Sequence, residues 1–216
     1  MLIRNSLIIL FSLLTFCSCS VSAAPEKYVA GTHYTVLESP VATGNENKIE
    51  VVEAFWYGCP HCYSFEPRLV SWIESAPSDV EFVRFPAIFG GQMKAHAQIF
   101  LTAENLDVIE ITHDPVYQAL ILERKNLQTE AEIGNLFESL GIEQEEFTKS
   151  FNSFSVRTKL EQALKRTQAY QLAGTPSMVV NGKYLVMAGE AVKTHEEVLQ
   201  VIDFLIEKER RSLSSS

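Results

Sequence analysis

Two cysteines, Cys59 and Cys62, stand two residues apart in the segment "VVEAFWYGCPHCYSFEPRL". A CxxC pair can ligate a metal ion, close a small disulfide loop or exchange electrons with other thiols. The chain's other two cysteines are Cys17 and Cys19. The chemistry open to the CxxC pair therefore depends on whether those two remain in the functional protein.

Residues 1–23 are typical of a secretory signal peptide. Arg4 gives a positive start, the apolar run "SLIILFSLLTF" is too short to span a bilayer, and "VSA" places small residues before a cleavage point. We predict cleavage after Ala23; a lipoprotein anchored through Cys17 or Cys19 is the less favoured alternative. Cleavage removes both of these cysteines and leaves one CxxC in an oxidising compartment.

The charge balance disfavours two classes of partner. Loss of residues 1–23 removes one arginine and no acid, so the formal net charge changes from −9 to −10. A surface this negative is a poor match for nucleic acid or anionic membranes. The 46% hydrophobic and 21% charged content are ordinary for a globular protein with a real core.

The metal and structural alternatives are weaker than electron exchange. A structural zinc site needs about four ligands, and the histidines, at positions 33, 61, 96, 113 and 195, provide no second pair at metal-binding spacing. A structural disulfide across two intervening residues would close a very small loop and stabilise little through loop entropy. We predict no metal and no cofactor. A structural zinc site and a purely structural disulfide remain the less favoured alternatives at this point.

The cysteines lie where a strand pattern changes into a helical one. The segment "KIEVVEAFWYG" (48–58) is almost continuously apolar, as expected of a strand buried on both faces. From Pro60 onward apolar residues recur at helical spacing, and a proline in the first helical turn costs no hydrogen bond. The segment "DVEFVRFPAIF" (79–89) predicts a second central strand.

A long helical block follows these strands. Residues 92–170 contain almost no strand pattern, and four stretches place apolar residues at three- and four-residue spacing: 94–106, 115–126, 129–141 and 156–174. The segment "PSMVVNGKYLVMAG" then predicts a hairpin around Asn181-Gly182, and Thr194 opens a final helix. The predicted order is β-α-β, a helical insertion and β-β-α.

The position of Cys59 at a helix start has a chemical consequence. Unpaired backbone N–H groups and the positive end of the helix dipole favour a thiolate there, so the pKa of Cys59 should lie well below that of a free cysteine. His61 can donate a hydrogen bond or a positive charge to the same sulfur. Cys62, one turn further along, should be more buried and act as the resolving thiol.

Four residues outside the CxxC motif itself are further candidates. Glu53 lies inside the first long strand, where an acid is costly unless it is solvated or paired. It is therefore either a proton acceptor beneath the disulfide or a residue at the rim of the sheet that contacts solvent. Arg84 on the neighbouring strand is either the charge partner of Glu53 or a surface residue at the strand end. Thr175-Pro176 opens a later strand; a trans proline has no special role there. A cis bond would turn the Thr175 backbone toward the cysteines and offer a thiol substrate an edge.

The segments "FWYGCPHCYSFEP" and "GTPSMVVNGKY", separated by a helical block, resemble the DsbA family, the thiol:disulfide oxidoreductases of the bacterial periplasm. The resemblance covers essentially the whole chain after the predicted signal peptide. It implies the α/β class and a thioredoxin fold with an inserted all-helical domain. The implied organisation is a signal peptide (1–23), two parts of a thioredoxin-like domain (24–91 and 168–216) and the inserted helical domain (92–167).

The resemblance also implies roles for the motif residues. Cys59 is the implied nucleophile that forms the mixed disulfide, and Cys62 resolves it. His61 stabilises the thiolate, Pro176 is the cis-proline that faces the pair, and Glu53 is the family's buried acid. Pro60 belongs to the CPHC motif itself.

Two positions depart from the family pattern. The family's buried lysine is matched only by Arg84, and an arginine cannot give up its proton. Thr175 stands where the best-known oxidase has valine, and threonine before the cis-proline is similar to the disulfide isomerases. The first departure concerns the charge-pair role of the family's lysine. The second concerns a residue that touches the active disulfide in the family, so it bears on redox potential and substrate release.

We therefore expect a periplasmic dithiol oxidase that donates its Cys59–Cys62 disulfide to exported, partly folded proteins. The resemblance implies reoxidation by a quinone-linked membrane partner similar to DsbB. The short stretch between the predicted cleavage site and Tyr34 leaves no room for a dimerisation domain, which indicates a monomer. A disulfide isomerase or reductase is the enzymatic alternative, and a non-catalytic periplasmic chaperone or peptide-binding module is the other.

Overall fold

The computed structural model of the protein describes residues 26–214. The predicted signal peptide with its cleavage site after Ala23, and with Cys17 and Cys19, lies outside the described residues. The described chain contains one five-stranded mixed sheet in the order β1-β5-β4-β2-β3. Its strands are β1 (Thr35–Val36), β2 (Ile49–Phe55), β3 (Val80–Pro86), β4 (Ser177–Val180) and β5 (Tyr184–Val186).

Strand β2 is the centre of the architecture. All seven of its residues are buried, as its apolar sequence predicts. It pairs in parallel with β3 and antiparallel with β4, so that Glu53 lies opposite Arg84 on one side and Met178 on the other. The segment that leaves its carboxyl end is therefore anchored by two ladders of backbone hydrogen bonds.

Strand β3 is an edge strand, and the prediction that residues 79–89 form a second central strand is wrong. Within the described sheet β3 pairs only with β2, and four of its seven residues are only partly buried. Its last residue is Pro86, which has no N–H to give to a neighbouring strand and is tolerated at an edge. The apolar composition reflects packing against helices rather than a second strand partner.

Seven α-helices complete the described chain: α1 (Pro60–Ser75), α2 (Gly91–Asn105), α3 (Ile109–Tyr117), α4 (Glu130–Ser139), α5 (Gln144–Phe151), α6 (Phe154–Ala169) and α7 (His195–Ser214). A π-helical segment, Gln118–Leu122, continues α3. Because α2 to α6 follow one another between β3 and β4, the predicted order of elements is confirmed. Among the described helices none is both long and apolar enough to cross a membrane.

The helical block differs from the prediction in two details. Helix α3 begins at Ile109, six residues before the stretch that was predicted from Pro115, and Pro115 lies inside it. The turn before the proline closes because the Thr112 N–H donates to the Val108 carbonyl at 3.1 Å. Helix α5 has no counterpart among the predicted stretches, since only Phe147 and Phe151 supply large apolar side chains in a run rich in polar residues.

Helices cover both faces of the sheet. On one face, Phe65 of α1 and Ile202 of α7 belong to the apolar cluster that contains Val51 of β2. On the other face, Val52 of β2 shares a cluster with Phe100 of α2 and with side chains of the other inserted helices. Burial of each such side chain contributes about 1.5–3 kcal/mol. Strand β2 is thus held from both sides, which fixes the start of α1.

The predicted hairpin around Asn181-Gly182 is confirmed between β4 and β5. Both residues have positive φ values, 50° and 62°, as turns of this kind require. A Cβ atom on Gly182 would lie 1.9 Å from the Val41 carbonyl oxygen, so only glycine fits this approach. The Val41 N–H donates to the Gly182 carbonyl at 2.9 Å, which ties the segment after β1 to the hairpin.

Candidate active site

The CPHC segment lies at the junction between β2 and α1. Cys59 is the N-cap residue of α1 with an extended backbone, and Pro60 is the first helical residue. Cys59 is 7% exposed and Cys62 is fully buried; both thiols are free. Cys59 therefore keeps a small exposed fraction, whereas Cys62, within the first turn, has none.

The pKa of Cys59 is lowered to about 5. The hydrogen bond from the Cys62 thiol is the largest cause, and burial opposes it. A hydrogen bond from the Thr175 side chain and the backbone N–H groups of Cys62 and His61 lower the pKa further. The helix start thus supplies donors to the thiolate as predicted, but the largest contribution comes from the second cysteine.

Burial, the largest cause, raises the pKa of Cys62 far above that of a free cysteine, and the hydrogen bond to Cys59 and the charge of Glu53 raise it further. The two thiols therefore differ strongly in acidity. Cys59 is a thiolate at neutral pH and is partly accessible, whereas Cys62 keeps its proton in the interior. This asymmetry suits Cys59 to attack or to leave and Cys62 to close the ring.

Thr175 lies against the sulfur of Cys59. The Thr175–Pro176 peptide bond is cis, and the Cys59 thiol is 3.3 Å from the Thr175 carbonyl, to which it can donate. The carbonyl contact favours the thiol form, whereas the side-chain contact favours the thiolate. Sequence alone left open whether this segment meets the cysteines, because 116 positions separate the two residues; the structure brings them together.

His61 and Pro60 are both exposed at the start of α1. His61 acts on the pKa of Cys59 through its backbone N–H. Its side chain is exposed and can meet a bound partner. The role predicted for the imidazole, stabilisation of the thiolate, remains a prediction.

Glu53 lies beneath the cysteines in β2 and is fully buried, so the interpretation of it as a solvated rim residue is wrong. Burial raises its pKa to about 7, the positive charge of Arg84 opposes this rise, and the charge of Glu66 adds to it. The Arg84 Nε donates to Glu53 Oε2 at 2.5 Å. Among the described residues no group hydrogen-bonds the other oxygen, Oε1. Glu53 can therefore hold or release a proton near neutral pH.

Arg84 is the predicted partner of Glu53, and it also contacts residues that sequence reasoning missed. Its Nη2 donates to both carboxylate oxygens of Glu66 at 2.8 and 2.9 Å. Its Nη1 lies 2.8 Å from His113 Nε2, and His113 Nδ1 lies 2.8 Å from the Tyr57 hydroxyl. One arginine from β3 thus joins a strand, helix α1 and the inserted helix α3.

A weak sequence signal existed for one of these residues only. Glu66 lies three residues after Tyr63 and three before Leu69, a helical spacing that places it on the face of those apolar side chains and could have indicated an inward carboxylate. His113 and Tyr57 gave no such signal, since 56 positions separate them and their contact arises from packing of α3 against β2.

The arrangement can perform thiol–disulfide exchange. It combines an accessible thiolate, a buried thiol and a carboxyl group with a near-neutral pKa, all within one end of the sheet. Within residues 26–214 no group of three or more histidine, cysteine, aspartate or glutamate side chains could hold a metal ion.

Comparison with known proteins gives a consistent result. The family model described as "DSBA-like thioredoxin domain" matches residues 79–200. The chain is 47% identical over 190 residues to the thiol:disulfide interchange protein DsbA of Pseudomonas aeruginosa strain PAO1, with 88% of this chain and 90% of that protein covered. It is 43% identical over 189 residues to the protein of the same name from Azotobacter vinelandii, with 88% of each covered.

Solved structures agree in fold. A crystal structure of Pseudomonas aeruginosa DsbA is similar with a TM-score of 0.83 and 46% identity, covering 87% of this chain and 97% of that chain. The oxidoreductase DsbA from Xylella fastidiosa is similar with a TM-score of 0.79 and 29% identity, covering 85% and 98%. The predicted α/β class, a thioredoxin fold with inserted helices, is confirmed.

Proposed function

This chain belongs to the DsbA family of thiol:disulfide interchange proteins, and on that premise we propose that it is a periplasmic oxidase that donates its Cys59–Cys62 disulfide to exported, partly folded proteins. The observation that carries the proposal is the difference in acidity between the two thiols. A thiolate as stable as that of Cys59, with a pKa of about 5, is a good leaving group. A disulfide that contains it is readily passed on to another protein.

The exchange has two steps in which electrons and protons balance. A substrate thiolate attacks Cys59 Sγ, the bond between the two active-site sulfurs breaks, and its electron pair passes to Cys62. The Cys62 sulfur takes up one proton. A second substrate thiolate then attacks the substrate sulfur of the mixed disulfide, and Cys59 leaves as a thiolate. The substrate is oxidised by two electrons and the CPHC pair is reduced by two.

Glu53 is the proposed source of the proton that Cys62 requires. Its pKa of about 7 means that a fraction of the molecules carries the proton at neutral pH. The charge of Glu53 and the pKa of Cys62 influence each other, which supports proximity of the two groups. Loss of that proton to Cys62 leaves a carboxylate that the adjacent Arg84 stabilises.

The residues around Cys59 are proposed to receive the substrate. Thr175 and Pro176 precede β4 and lie beside Cys59, so a substrate strand that runs past the sulfur can pair with their backbone. Pro60 keeps the helix start rigid. His61, exposed next to the sulfur, is proposed to stabilise the thiolate by its charge or by a hydrogen bond in the mixed disulfide.

The cellular setting is part of the proposal. The signal peptide pattern in residues 1–23, with cleavage after Ala23, supports export to the periplasm, where a disulfide persists. Continuous turnover requires that the reduced pair be reoxidised, and a quinone-linked membrane oxidase similar to DsbB is the proposed partner. The protein is proposed to act as a monomer, and its net negative charge gives no support for binding to nucleic acid.

We also propose that residues 24–91 and 168–216 form one thioredoxin-like domain and that residues 92–167 form an inserted helical domain. Helices α2 to α6 follow without an intervening strand, which supports the division. The two junctions fall at the start of α2 and in the last turn of α6. Limited proteolysis should cut first in the segments that flank the helical block, residues 87–90 and 170–176, and early cleavage between residues 95 and 165 would count against these boundaries.

The test of the oxidase is the redox equilibrium of the purified protein with glutathione, together with the titration of Cys59. We expect a strongly oxidising pair and a thiolate that persists below pH 7, and loss of both in a Cys59→Ser variant. A strongly reducing potential with an ordinary thiol pKa would refute the oxidase. Reduced ribonuclease as a substrate should gain disulfides stoichiometrically from the oxidised protein.

A disulfide isomerase or reductase is the second candidate, and the contact between Thr175 and Cys59 is the observation in its favour. A threonine donor at this position acts directly on the sulfur and can alter how long a mixed disulfide persists. Trapping of the thiols in intact cells separates the two functions. An oxidase is recovered mostly with the Cys59–Cys62 disulfide formed, and an isomerase or reductase mostly with free thiols.

A further inference from the structure

His113 is buried beside Arg84, the partner of Glu53, although it belongs to the inserted helix α3. Its two ring nitrogens face different elements: Nδ1 lies 2.8 Å from the Tyr57 hydroxyl after β2, and Nε2 lies 2.8 Å from Arg84 Nη1 in β3. The same Nε2 is 3.4 Å from Glu66 Oε1. The ring therefore occupies the third side of an arginine whose other two sides contact Glu53 and Glu66.

The donors and acceptors of this cluster allow one arrangement of protons. The Arg84 guanidinium only donates, so His113 Nε2 must accept and carry no hydrogen. A neutral imidazole then carries its proton on Nδ1, where it donates to the oxygen of Tyr57. The ring is thus held as the neutral Nδ1–H tautomer.

A protonated ring is incompatible with these contacts. The added hydrogen on Nε2 would face the Arg84 N–H groups, which places two donors and two positive charges against each other. It would also compete with Arg84 for Glu66 Oε1, the carboxylate oxygen that Nη2 now contacts at 2.8 Å. Arg84 Nη1 would lose its acceptor, His113 Nε2, and Arg84 Nη2 would have to share the Glu66 carboxylate with the protonated ring.

We propose that His113 is a positioning residue of the redox site, because as a neutral acceptor for Arg84 Nη1 it holds the guanidinium so that Nε faces Glu53. The geometry makes the inserted helix part of the chemistry: α3 determines how closely Arg84 approaches the carboxyl group beneath Cys62. The inference deepens the proposed function and rests on it, since Glu53 matters only if its proton is used in disulfide exchange.

The pH dependence of this arrangement depends on every charged or titratable group that faces the ring. Burial is the largest cause and lowers the pKa of His113, and the hydrogen bond that a protonated ring would donate to Glu66 raises it. The positive charge of Arg84 lowers this pKa, and the negative charges of Glu66 and Asp114 raise it. The groups packed around the ring come from β2, α1, β3 and α3: Glu53, Tyr57, Glu66, Arg84, Asp114 and Tyr117.

The first experiment is an NMR measurement on the unmodified reduced protein. Two-bond ¹⁵N–¹H spectra of the imidazole distinguish the Nδ1–H tautomer, the Nε2–H tautomer and the protonated ring. We expect His113 to remain the neutral Nδ1–H form throughout the pH range in which Glu53 titrates. An Nε2–H tautomer or a protonated ring at neutral pH would overturn the proposal, because neither can accept from Arg84.

The second experiment compares two variants that separate the role of His113 as a hydrogen-bond acceptor from its role as a packed ring. His113→Phe keeps a ring but has no nitrogen, whereas His113→Gln places an oxygen near the position of Nε2 but fills the space less well. The readout is the ¹³C titration of the Glu53 carboxyl group. We expect His113→Phe to raise the Glu53 midpoint by about 1 pH unit, a tenfold change in proton affinity, and His113→Gln to stay close to the parent protein.

The opposite order, with His113→Gln more perturbed than His113→Phe, would show that His113 acts by packing and would overturn the proposal. Equal titrations in all three proteins would do the same. The equilibrium with glutathione is measured on the same samples. A parent protein that fails to oxidise glutathione refutes the oxidase; an oxidising parent with unchanged variants refutes only the role of His113.

Discussion

Replacement of Cys62 by alanine should raise the pKa of Cys59 in the reduced protein. The hydrogen bond from the Cys62 thiol is the largest of the causes that hold this pKa at about 5. Alanine removes the S–H donor and leaves the backbone of α1 in place. The thiolate then keeps the Thr175 side chain and the backbone N–H groups of the first helical turn as its donors.

The expected size follows from the strength of a hydrogen bond to a charged acceptor. Such a bond contributes about 1.5–3 kcal/mol, and about 1.4 kcal/mol corresponds to one unit of pKa. We therefore expect the pKa of Cys59 to rise by about 1 to 2 in the Cys62→Ala variant. It should still lie below that of a free cysteine, because the remaining donors are unchanged.

The assay is a pH titration of the ultraviolet absorbance of the thiolate, supported by the pH dependence of alkylation by iodoacetamide. Cys62→Ser is the matched control, since serine keeps an O–H donor on the same Cβ atom and should raise the pKa less than alanine does. An unchanged midpoint in Cys62→Ala, or an equal rise in alanine and serine variants, would refute the account of the thiolate given by the structure.

Other changes test separate parts of the structure. Thr175→Val removes a side-chain donor to the Cys59 thiolate, so titration should give a higher Cys59 pKa and the glutathione equilibrium a less oxidising pair; Thr175→Ser is the control. Because the Cys59 pKa is lower in the folded than in the unfolded protein, the stability that the Cys59 thiolate contributes to the reduced form should be fully present above about pH 9 and be lost as the pH falls toward 5. Urea unfolding should show a loss of at most about 1.4 kcal/mol per pH unit relative to a Cys59→Ser variant. Among the described residues the buried Tyr117 hydroxyl has no hydrogen-bond partner, so Tyr117→Phe should raise the free energy of unfolding by about 1 kcal/mol, and a loss of stability would contradict this. Gly182→Ala should lower the thermal midpoint, because its Cβ would meet the Val41 carbonyl, whereas Gly91→Ala, with open space around it, should change little.

Local patterns were sufficient for the elements that carry the cysteines. The apolar run of β2 and the repeat that begins at Pro60 predicted a strand followed by a helix, and Cys59 lies at that junction. Turn and cap residues were equally informative: Asn181-Gly182 forms the hairpin, and Thr194 caps α7 through the Glu197 N–H at 3.1 Å. Such features depend on neighbours a few positions apart, which a sequence displays directly.

Sequence patterns predicted less reliably those elements whose environment is set by neighbouring helices from elsewhere in the chain. The apolar residues of 79–89 fit a central strand as well as an edge strand covered by helices, and β3 is the latter. The polar run of α5 is helical because Phe147 and Phe151 pack against other inserted helices. In both cases the local sequence is compatible with two environments, and the tertiary structure selects one.

By itself the sequence determined that Cys59 starts a helix, that Cys62 follows within one turn, and that Glu53 precedes them in a buried strand. Only the tertiary structure decided what surrounds these groups. Thr175 meets the sulfur from 116 positions away, and Arg84 gathers Glu53, Glu66 and His113 from three different elements. The physical reason is that a buried charge is tolerated only with specific partners, and those partners are supplied by the packing of distant segments, which no local spacing encodes.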